Sequence, residues 1–125
     1  MLAETIRVVD GDTIRVRALI WIDLSLEVLV RIRGIDAPEL NGGCAEEETL
    51  AVAATGVLAA ALGADILLLT DIDEDKYAGR IVADVATAGG ADLAAAMLAS
   101  GTVRAYDGGT RLPWCPLAIG VLATP

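Results

Sequence analysis

Apolar and polar residues alternate with a period of two along the first third of the chain. From residue 13 to 22, and again from 26 to 33, every second position is apolar. This alternation predicts two paired strands, each with one buried face, joined by a reversal at residues 23–25. A shorter strand is predicted at residues 5–9, because that run ends at the turn dipeptide Asp10-Gly11. The pattern therefore predicts three consecutive strands in a hairpin or meander.

The period changes to that of a helix over residues 44–62. Glu46, Glu47 and Glu48 fill its first turn, where the helix dipole favours negative charge, and Gly63 supplies a C-terminal stop. The later elements have less regular patterns. In chain order we predict a strand at 66–70, an acidic loop at 71–79, a strand at 81–87 and a second helix at 92–100.

The predicted order of elements is β-β-β-α-β-β-α. Five strands with a helix after the third are what a small Greek-key barrel of the OB type requires. We therefore predict an α+β fold, a five-stranded OB-type Greek-key β-barrel with two packed helices, within residues 1–106. Residues 107–125 contain several glycines and prolines and are predicted to form an irregular C-terminal tail.

Residues 50–69 are nearly uncharged and have about the length that a membrane-spanning helix needs. Gly56, Gly63 and Asp65 interrupt this stretch, and the step from Gly63 to Asp65 has the composition of a turn from helix to strand. We therefore expect no membrane span. The first residues also lack the basic and apolar regions of a signal peptide. For the oligomeric state, we expect a monomer.

The composition narrows the possible chemistry. The chain has no histidine, which excludes a histidine base, a histidine metal ligand and a Ser-His-Asp triad. Acid–base work must then fall to carboxylates, lysine, tyrosine or water. Eighteen acidic residues against nine basic ones give a net charge of −9, so the chain lacks the basic footprint usual for proteins that bind nucleic acids. A phosphate-containing substrate would need a local basic pocket and a bound cation.

Two short strings carry the candidate chemistry. The first is Asp10-Gly11-Asp12-Thr13, and the second is Arg-Ile-Arg-Gly-Ile-Asp-Ala-Pro-Glu at residues 31–39. Each ends a predicted strand with acidic side chains, so three carboxylates and an arginine could converge at one edge of a small sheet. Carboxylates bind hard cations, and arginine binds phosphate oxygens. The strings therefore predict phosphodiester chemistry.

Cys44 and Cys115 form the one internal pair of cysteines that the chain can offer. Both lie in turn regions that contain glycine or proline, which favours a disulfide over two free thiols, the alternative. A zinc site is disfavoured, because two cysteines without histidine do not fill the usual four positions.

Four segments occur together in a specific order: Val-Val-Asp-Gly-Asp-Thr-Ile at residues 8–14, the string at 31–39, Asp-Lys-Tyr-Ala-Gly-Arg at 75–80, and the last helix running into Ser100-Gly101. In this order and spacing they resemble the staphylococcal nuclease (thermonuclease) family over roughly residues 5–106. The resemblance implies a Ca²⁺-dependent endonuclease that hydrolyses DNA and RNA with little sequence preference and leaves 3′-phosphate ends. It also suggests, together with the possible disulfide, a secreted or periplasmic location.

The resemblance assigns roles residue by residue. Asp12 and Asp36 match the two carboxylates that bind the catalytic Ca²⁺, and the main-chain carbonyl of Ala37 matches the third protein ligand. Glu39 matches the residue that activates or orients the attacking water. The remaining matches concern the substrate: Arg31 and Arg80 for the reacting phosphate, Lys76 and Tyr77 for a terminal phosphate, and Tyr106, in a looser alignment, for stacking on a base.

The alternative function is a catalytically weak nucleic-acid-binding or protein-scaffold domain on the same barrel. The intact set of site residues favours the enzyme, because a decayed site usually loses at least one of them. Other conspicuous side chains are predicted to be structural. They are Asp10 in the turn, Arg33 on its strand, the three glutamates of the first helix, the acidic loop as a solvated segment, and Trp21 and Trp114 in packing.

Overall fold

The computed structural model describes residues 1–75, 79–109 and 112–115 of the chain. Within them the strands and helices follow the predicted order, with two short strands added. In chain order the elements are β1 (Leu2–Asp10), β2 (Thr13–Trp21), β3 (Leu24–Ile32), β4 (Ile35–Asp36), α1 (Ala45–Leu62), β5 (Leu67–Glu74), β6 (Arg80–Thr87), α2 (Leu93–Ser100) and β7 (Arg104–Ala105).

Five of the strands close into a barrel in the order β1-β2-β3-β6-β5. The first three form an antiparallel meander. Strand β3 then pairs with β6 in parallel, and β5 closes the barrel against β1. Helix α1 packs on β1 and on α2. This architecture confirms the predicted α+β fold, a five-stranded OB-type barrel with two packed helices.

The short strands β4 and β7 form a separate two-stranded pair. In this antiparallel pair Ile35 lies opposite Ala105, and Asp36 lies opposite Arg104. The N–H of Tyr106 extends the pairing by donating to the carbonyl of Gly34 at 2.9 Å. The pair therefore brings the segment after α2 alongside the second acidic string.

The barrel core includes residues of α1, and Gly11 allows the first turn to pack closely against this helix. Apolar side chains of β2 and β3, such as Ile14 and Val30, are fully buried together with Leu58 of α1. The turn between β1 and β2 contains Gly11, where an added Cβ would lie 2.7 Å from the Cβ of Ala54 and 2.9 Å from that of Ala37. Since real Cβ atoms do not approach this closely, glycine lets the turn dock onto α1 and the second string.

Both helices have defined ends. Cys44 is the N-cap residue of α1, and the three predicted glutamates fill its first turn. Helix α2 is capped by Asp92, whose Oδ2 accepts from the N–H of Ala95 at 3.0 Å, and it ends at Gly101 in the left-handed region with φ 78°. Among the described residues, neither helix combines the length and apolar character that crossing a membrane would require.

Residues 71–74, the first part of the stretch predicted as an acidic loop over 71–79, are instead the second half of β5. Asp71 has a positive φ of 51°, and the pairing with β6 shifts register just after Thr70, which together form a bulge. Arg33 of the loop after β3 offsets the acidic charge. Its Nη2 lies 2.8 Å from Asp73, and its Nη1 lies 3.2 Å from Asp84. The loop prediction was wrong for residues 71–74, because the arginine that offsets their charge comes from a distant part of the sequence.

The prediction that Trp21 is a packing residue was also wrong. Trp21 ends β2 and is 76% exposed, next to Ile22 and Leu24 at the tip of the β2–β3 hairpin. The alternating pattern runs on into this tip. Ile20 and Ile22 are exposed as well as Leu19 and Trp21, so apolar side chains on both faces of the tip meet solvent.

Candidate active site

Asp12 is held in place by the elements on both sides of its turn. Its side chain is buried, and Oδ1 accepts from the hydroxyl of Thr13 at 2.7 Å. Oδ2 accepts from the backbone N–H of Ala37 at 3.0 Å. The main-chain carbonyl of Asp12 accepts from the N–H of Ile32 at 2.8 Å. The turn is thereby fixed to the end of β3 and to the residue after β4.

Asp36 lies on β4 and is only 2% exposed. Its Oδ1 lies 3.8 Å from Nη2 of Arg31. Its Oδ2 accepts from Nη2 of Arg104 at 3.3 Å and from the indole Nε1 of Trp114 at 3.1 Å. Two donors from the C-terminal part of the chain therefore fix one oxygen, and the other oxygen faces Arg31.

The guanidinium of Arg31 lies between the two buried carboxylates. Its Nη2 is 3.5 Å from Oδ2 of Asp12 and 3.8 Å from Oδ1 of Asp36, and it also donates to the carbonyl of Ile35 at 3.1 Å. The guanidinium carbon lies 5.1 Å from the ring centroid of Tyr106, a distance at which a cation–π contact forms. The two acidic strings and the arginine thus converge, as the sequence predicts.

Asp10 adds a third carboxyl group to this cluster. One of its side-chain oxygens accepts from the N–H of Asp12 at 3.3 Å. The pKa of Asp10 is raised from 3.8 to about 8. Burial is the largest cause, and the neighbouring carboxylates of Asp12 and Glu39 contribute to the same shift. Loss of contact with water is therefore the main reason why this carboxyl group holds its proton more tightly than usual.

Glu39 is anchored through its main chain by a glutamate of α1. The N–H of Glu39 donates to Oε2 of Glu47 at 3.0 Å, and the N–H of Gly43 donates to Oε1 at 3.3 Å. Glu47 is 8% exposed, and a Cβ on Gly42 would lie 2.5 Å from its Oε1. Sequence reasoning treated Glu47 as a first-turn helix charge. Glu47 lies three residues after the N-cap, and a glutamate at this position often accepts from N–H groups that precede the helix. This spacing could have predicted the contact.

Arg80 begins β6, directly after Gly79. In the parallel pairing of β3 with β6, Arg31 lies opposite Val82, two residues beyond Arg80. Side chains two residues apart on a strand share a face, so Arg31 and Arg80 lie on the same face of the two neighbouring strands. The Nε of Arg80 forms an ion pair with the carboxylate of Asp75.

Tyr106 lines a cavity of about 360 Å³ beside Asp36 and Arg104. Its hydroxyl donates to the carbonyl of Gly109 at 2.6 Å, which fixes the ring next to Arg31. Tyr106 therefore lies beside Arg31 and Asp36. The predicted phosphate contacts Lys76 and Tyr77 lie outside the described residues.

Trp114 and Arg104 are site residues that sequence reasoning missed. The guanidinium carbon of Arg104 lies 3.7 Å from the ring centroid of Trp114, and both side chains donate to Asp36. Trp114 was predicted to be a packing residue, because it has no basic residue near it in sequence. Its stacking partner lies ten positions earlier in the sequence and is brought to Trp114 by the pairing of β7 with β4.

Cys44 and Cys115 are joined in a disulfide, with Cα atoms 5.8 Å apart. Ligand atoms of these two residues and of Glu47 lie within 4.8 Å of one another, the one such group of three among the described residues. Both sulfurs are consumed by the disulfide, so neither supplies the thiolate that a soft metal needs. This cluster is therefore a cross-link beside a carboxylate rather than a metal centre.

The donor set at the two acidic strings fits a hard divalent cation. Asp12 and Asp36 are buried carboxylates that converge on Arg31, and Ala37 is tied to Asp12 through its N–H. The chemistry of these groups is that of oxygen ligands, which Ca²⁺ takes from carboxylates, main-chain carbonyls and water.

Comparison with known families places these observations in context. The family model for staphylococcal nuclease homologues matches residues 29–111. This range contains the end of β3, both helices and the string at 31–39. The turn that carries Asp12 precedes the matched range but is hydrogen-bonded to it through Ala37 and Ile32. No curated protein matches the chain. The family match covers about two thirds of the 125 residues, and the chain belongs to the family of staphylococcal nuclease homologues.

Proposed function

We propose that this protein is a Ca²⁺-dependent phosphodiesterase that hydrolyses DNA and RNA with low sequence specificity and leaves 3′-phosphate ends. The observation that carries the proposal is the position of Arg31 between the buried carboxylates of Asp12 and Asp36. A site that binds a cation and a phosphate together requires this mixture of charges.

In this proposal Asp12, Asp36 and the main-chain carbonyl of Ala37 hold the cation. Bound Ca²⁺ would supply positive charge for the phosphate oxygens and would make a coordinated water more acidic. The protein's part is to keep the two carboxylates in place. Thr13 and Ala37 do so for Asp12, while Arg104 and Trp114 do so for Asp36.

Arg31 and Arg80 are proposed to bind the reacting phosphate. Guanidinium groups can donate to two phosphate oxygens at once, which orients the phosphate and stabilises the charge that builds on it. The shared face of β3 and β6 supports this pairing. In the absence of substrate, their charges are balanced by carboxylates of the protein, among them Asp12 and Asp75.

Glu39 is proposed to orient the attacking water and to accept its proton. Its main chain is fixed by Glu47, which limits where the carboxylate can move. Tyr106 would pack against a base or sugar in the cavity beside Asp36. Lys76 and Tyr77 are proposed to contact a terminal phosphate, on the strength of the family resemblance alone.

The disulfide supports a location outside the reducing cytoplasm. Such bonds persist in secreted and periplasmic proteins and are rare where glutathione keeps thiols reduced. We therefore propose that the protein acts in a secreted or periplasmic setting.

The proposal is tested by digestion of single-stranded DNA with two substituted proteins and two matched controls. Glu39→Gln and Arg80→Ala should each remove most of the activity in millimolar Ca²⁺. Glu27→Gln and Arg17→Ala change the same residue types on the β2–β3 hairpin, where the two side chains face each other away from the site, and should retain it. Equal activity in all four proteins would contradict the assignment. Absence of activity in the unsubstituted protein would favour the alternative, a catalytically weak binding or scaffold domain.

A further inference from the structure

The segment Leu112–Cys115, which we call the C-terminal clamp, reaches the candidate cation site although it lies far along the chain. Trp114 donates from Nε1 to Oδ2 of Asp36 at 3.1 Å. Asp36 is a predicted ligand through its carboxylate, so this indole contacts the ligand rather than the cation. The hydrogen bond therefore acts on the direction in which Asp36 presents its oxygens.

The clamp is attached to the protein at both of its ends. Arg104 donates from Nη2 to the carbonyl of Leu112 at 2.6 Å and from Nη1 to that of Pro113 at 3.2 Å. At the other end, Cys115 is bonded to Cys44, the N-cap residue of α1. Trp114 lies between these two attachments, with its ring stacked on Arg104 at 3.7 Å.

Trp114 lies outside the apolar core and makes a polar contact instead. Its side chain is half-buried and lies outside the cluster of apolar residues that forms the core. The ring stacks on a charged group, and its one polar atom is directed at a carboxylate that is 2% exposed. A buried carboxylate with a fixed donor on one oxygen can turn its other oxygen only within narrow limits.

We propose that Trp114 is a positioning residue for the cation site, kept in contact with Asp36 by the disulfide. The inference rests on the proposed function, because it takes Asp36 as a ligand. The hydrogen bond from Trp114 and the one from Arg104 occupy Oδ2, leaving Oδ1 directed at the space that Arg31 and Asp12 share. Outer contacts of this kind commonly contribute about 10- to 100-fold to metal affinity or activity.

The first test measures Ca²⁺ affinity by calorimetry, without substrate. Trp114→Phe keeps a ring over Arg104 but removes the N–H, and should weaken Ca²⁺ binding by about 10- to 100-fold. Trp21→Phe is the matched control, because Trp21 is exposed at the far end of β2, and it should bind Ca²⁺ as the unsubstituted protein does. Far-UV circular dichroism should be the same for all three proteins.

The second test uses tryptophan fluorescence, since the chain contains two tryptophans. In Trp21→Phe the emission comes from Trp114 alone and should change on Ca²⁺ titration. In Trp114→Phe it comes from Trp21 and should not change. Reduction with dithiothreitol should move the Ca²⁺ affinity of Trp21→Phe toward that of Trp114→Phe, because it releases Cys115 from Cys44.

The outcomes separate this inference from the proposed function. Unchanged Ca²⁺ affinity in a folded Trp114→Phe protein would overturn the positioning role and leave the proposed function standing. Failure of the unsubstituted protein to bind Ca²⁺ would overturn both. If Trp114→Phe does not fold, the fluorescence of Trp21→Phe decides, and an emission that ignores Ca²⁺ would overturn the role of Trp114.

Discussion

The N–H of Ala37 donates a hydrogen bond of 3.0 Å to Oδ2 of Asp12. This bond joins the two acidic strings, which are 25 positions apart in the sequence. It also fixes the residue whose carbonyl is the proposed third ligand relative to the first proposed ligand. The geometry of the site therefore depends on how closely the β1–β2 turn can approach the segment after β4.

Gly11→Ala tests that close approach. The added methyl would lie 2.7 Å from the Cβ of Ala54 and 2.9 Å from that of Ala37, so α1 or the turn must shift. Overpacking of this kind costs about 1–3 kcal/mol, and urea denaturation should show a loss of this size in the free energy of unfolding. Gly56→Ala is the control, because Gly56 is exposed within α1 with open space around it. It should stabilise the protein by roughly 0.5–1 kcal/mol. Equal effects of the two substitutions would contradict the packing described.

Asp10 makes the stability of the metal-free protein depend on pH. Its pKa is about 8 in the folded protein and 3.8 in the reference state. Between these values the folded state holds more protons than the unfolded state, so stability falls as pH rises. Asp10→Asn cannot ionise and can keep the hydrogen bond from Asp12. With EDTA present, raising the pH from about 5 to about 8 should lower the free energy of unfolding more in the unsubstituted protein than in Asp10→Asn. A parallel pH dependence in the two proteins would show that Asp10 ionises normally.

The disulfide closes a long loop, since Cys44 and Cys115 are 71 residues apart. In the chain-entropy model this restriction of the unfolded chain stabilises the fold by about 4 kcal/mol. Replacement of both cysteines by serine should lower the free energy of unfolding by an amount of that order, measured in urea without reductant. Adding dithiothreitol should then change the unsubstituted protein but leave the double variant as it was. A disulfide without effect on unfolding would contradict the described linkage.

Glu47 should affect turnover more than cation binding. Its carboxylate accepts from the N–H groups of Glu39 and Gly43, and Glu47→Gln replaces one acceptor oxygen by an NH₂ group that cannot accept. The main chain of Glu39 then loses a fixed contact, and kcat should fall by about tenfold or more while the dissociation constant for Ca²⁺ changes little. Glu48→Gln, on the exposed face of the same helix turn, is the control. A loss of Ca²⁺ affinity in Glu47→Gln with unchanged kcat would contradict this division of roles.

The barrel and much of the site could be predicted because their signals are local. The alternation of apolar and polar residues along β2 and β3 predicts which face of each strand is buried. An aspartate near the end of a strand, such as Asp12 or Asp36, predicts where carboxylates come together. The second half of β5 could not be predicted in the same way. Its acidic residues resemble a solvated loop until Arg33, some 40 residues away in sequence, is brought against Asp73.

The residues that support the site were missed for a related reason. Trp114 and Arg104 act on Asp36 from 78 and 68 residues away, and no local pattern links them to it. Glu47 differs, because its spacing from the N-cap did carry a signal. The sequence pattern thus predicts the groups that we propose to contact a cation or phosphate, while the groups that hold them depend on tertiary pairing such as that of β4 with β7.

The most direct test of the central claim compares digestion of single-stranded DNA by the unsubstituted protein in millimolar Ca²⁺ and in excess EDTA. The site of Asp12, Asp36 and Glu39 predicts digestion with Ca²⁺, products that end in a 3′-phosphate, and no digestion with EDTA. Full digestion in EDTA, or none with any divalent ion, would contradict it.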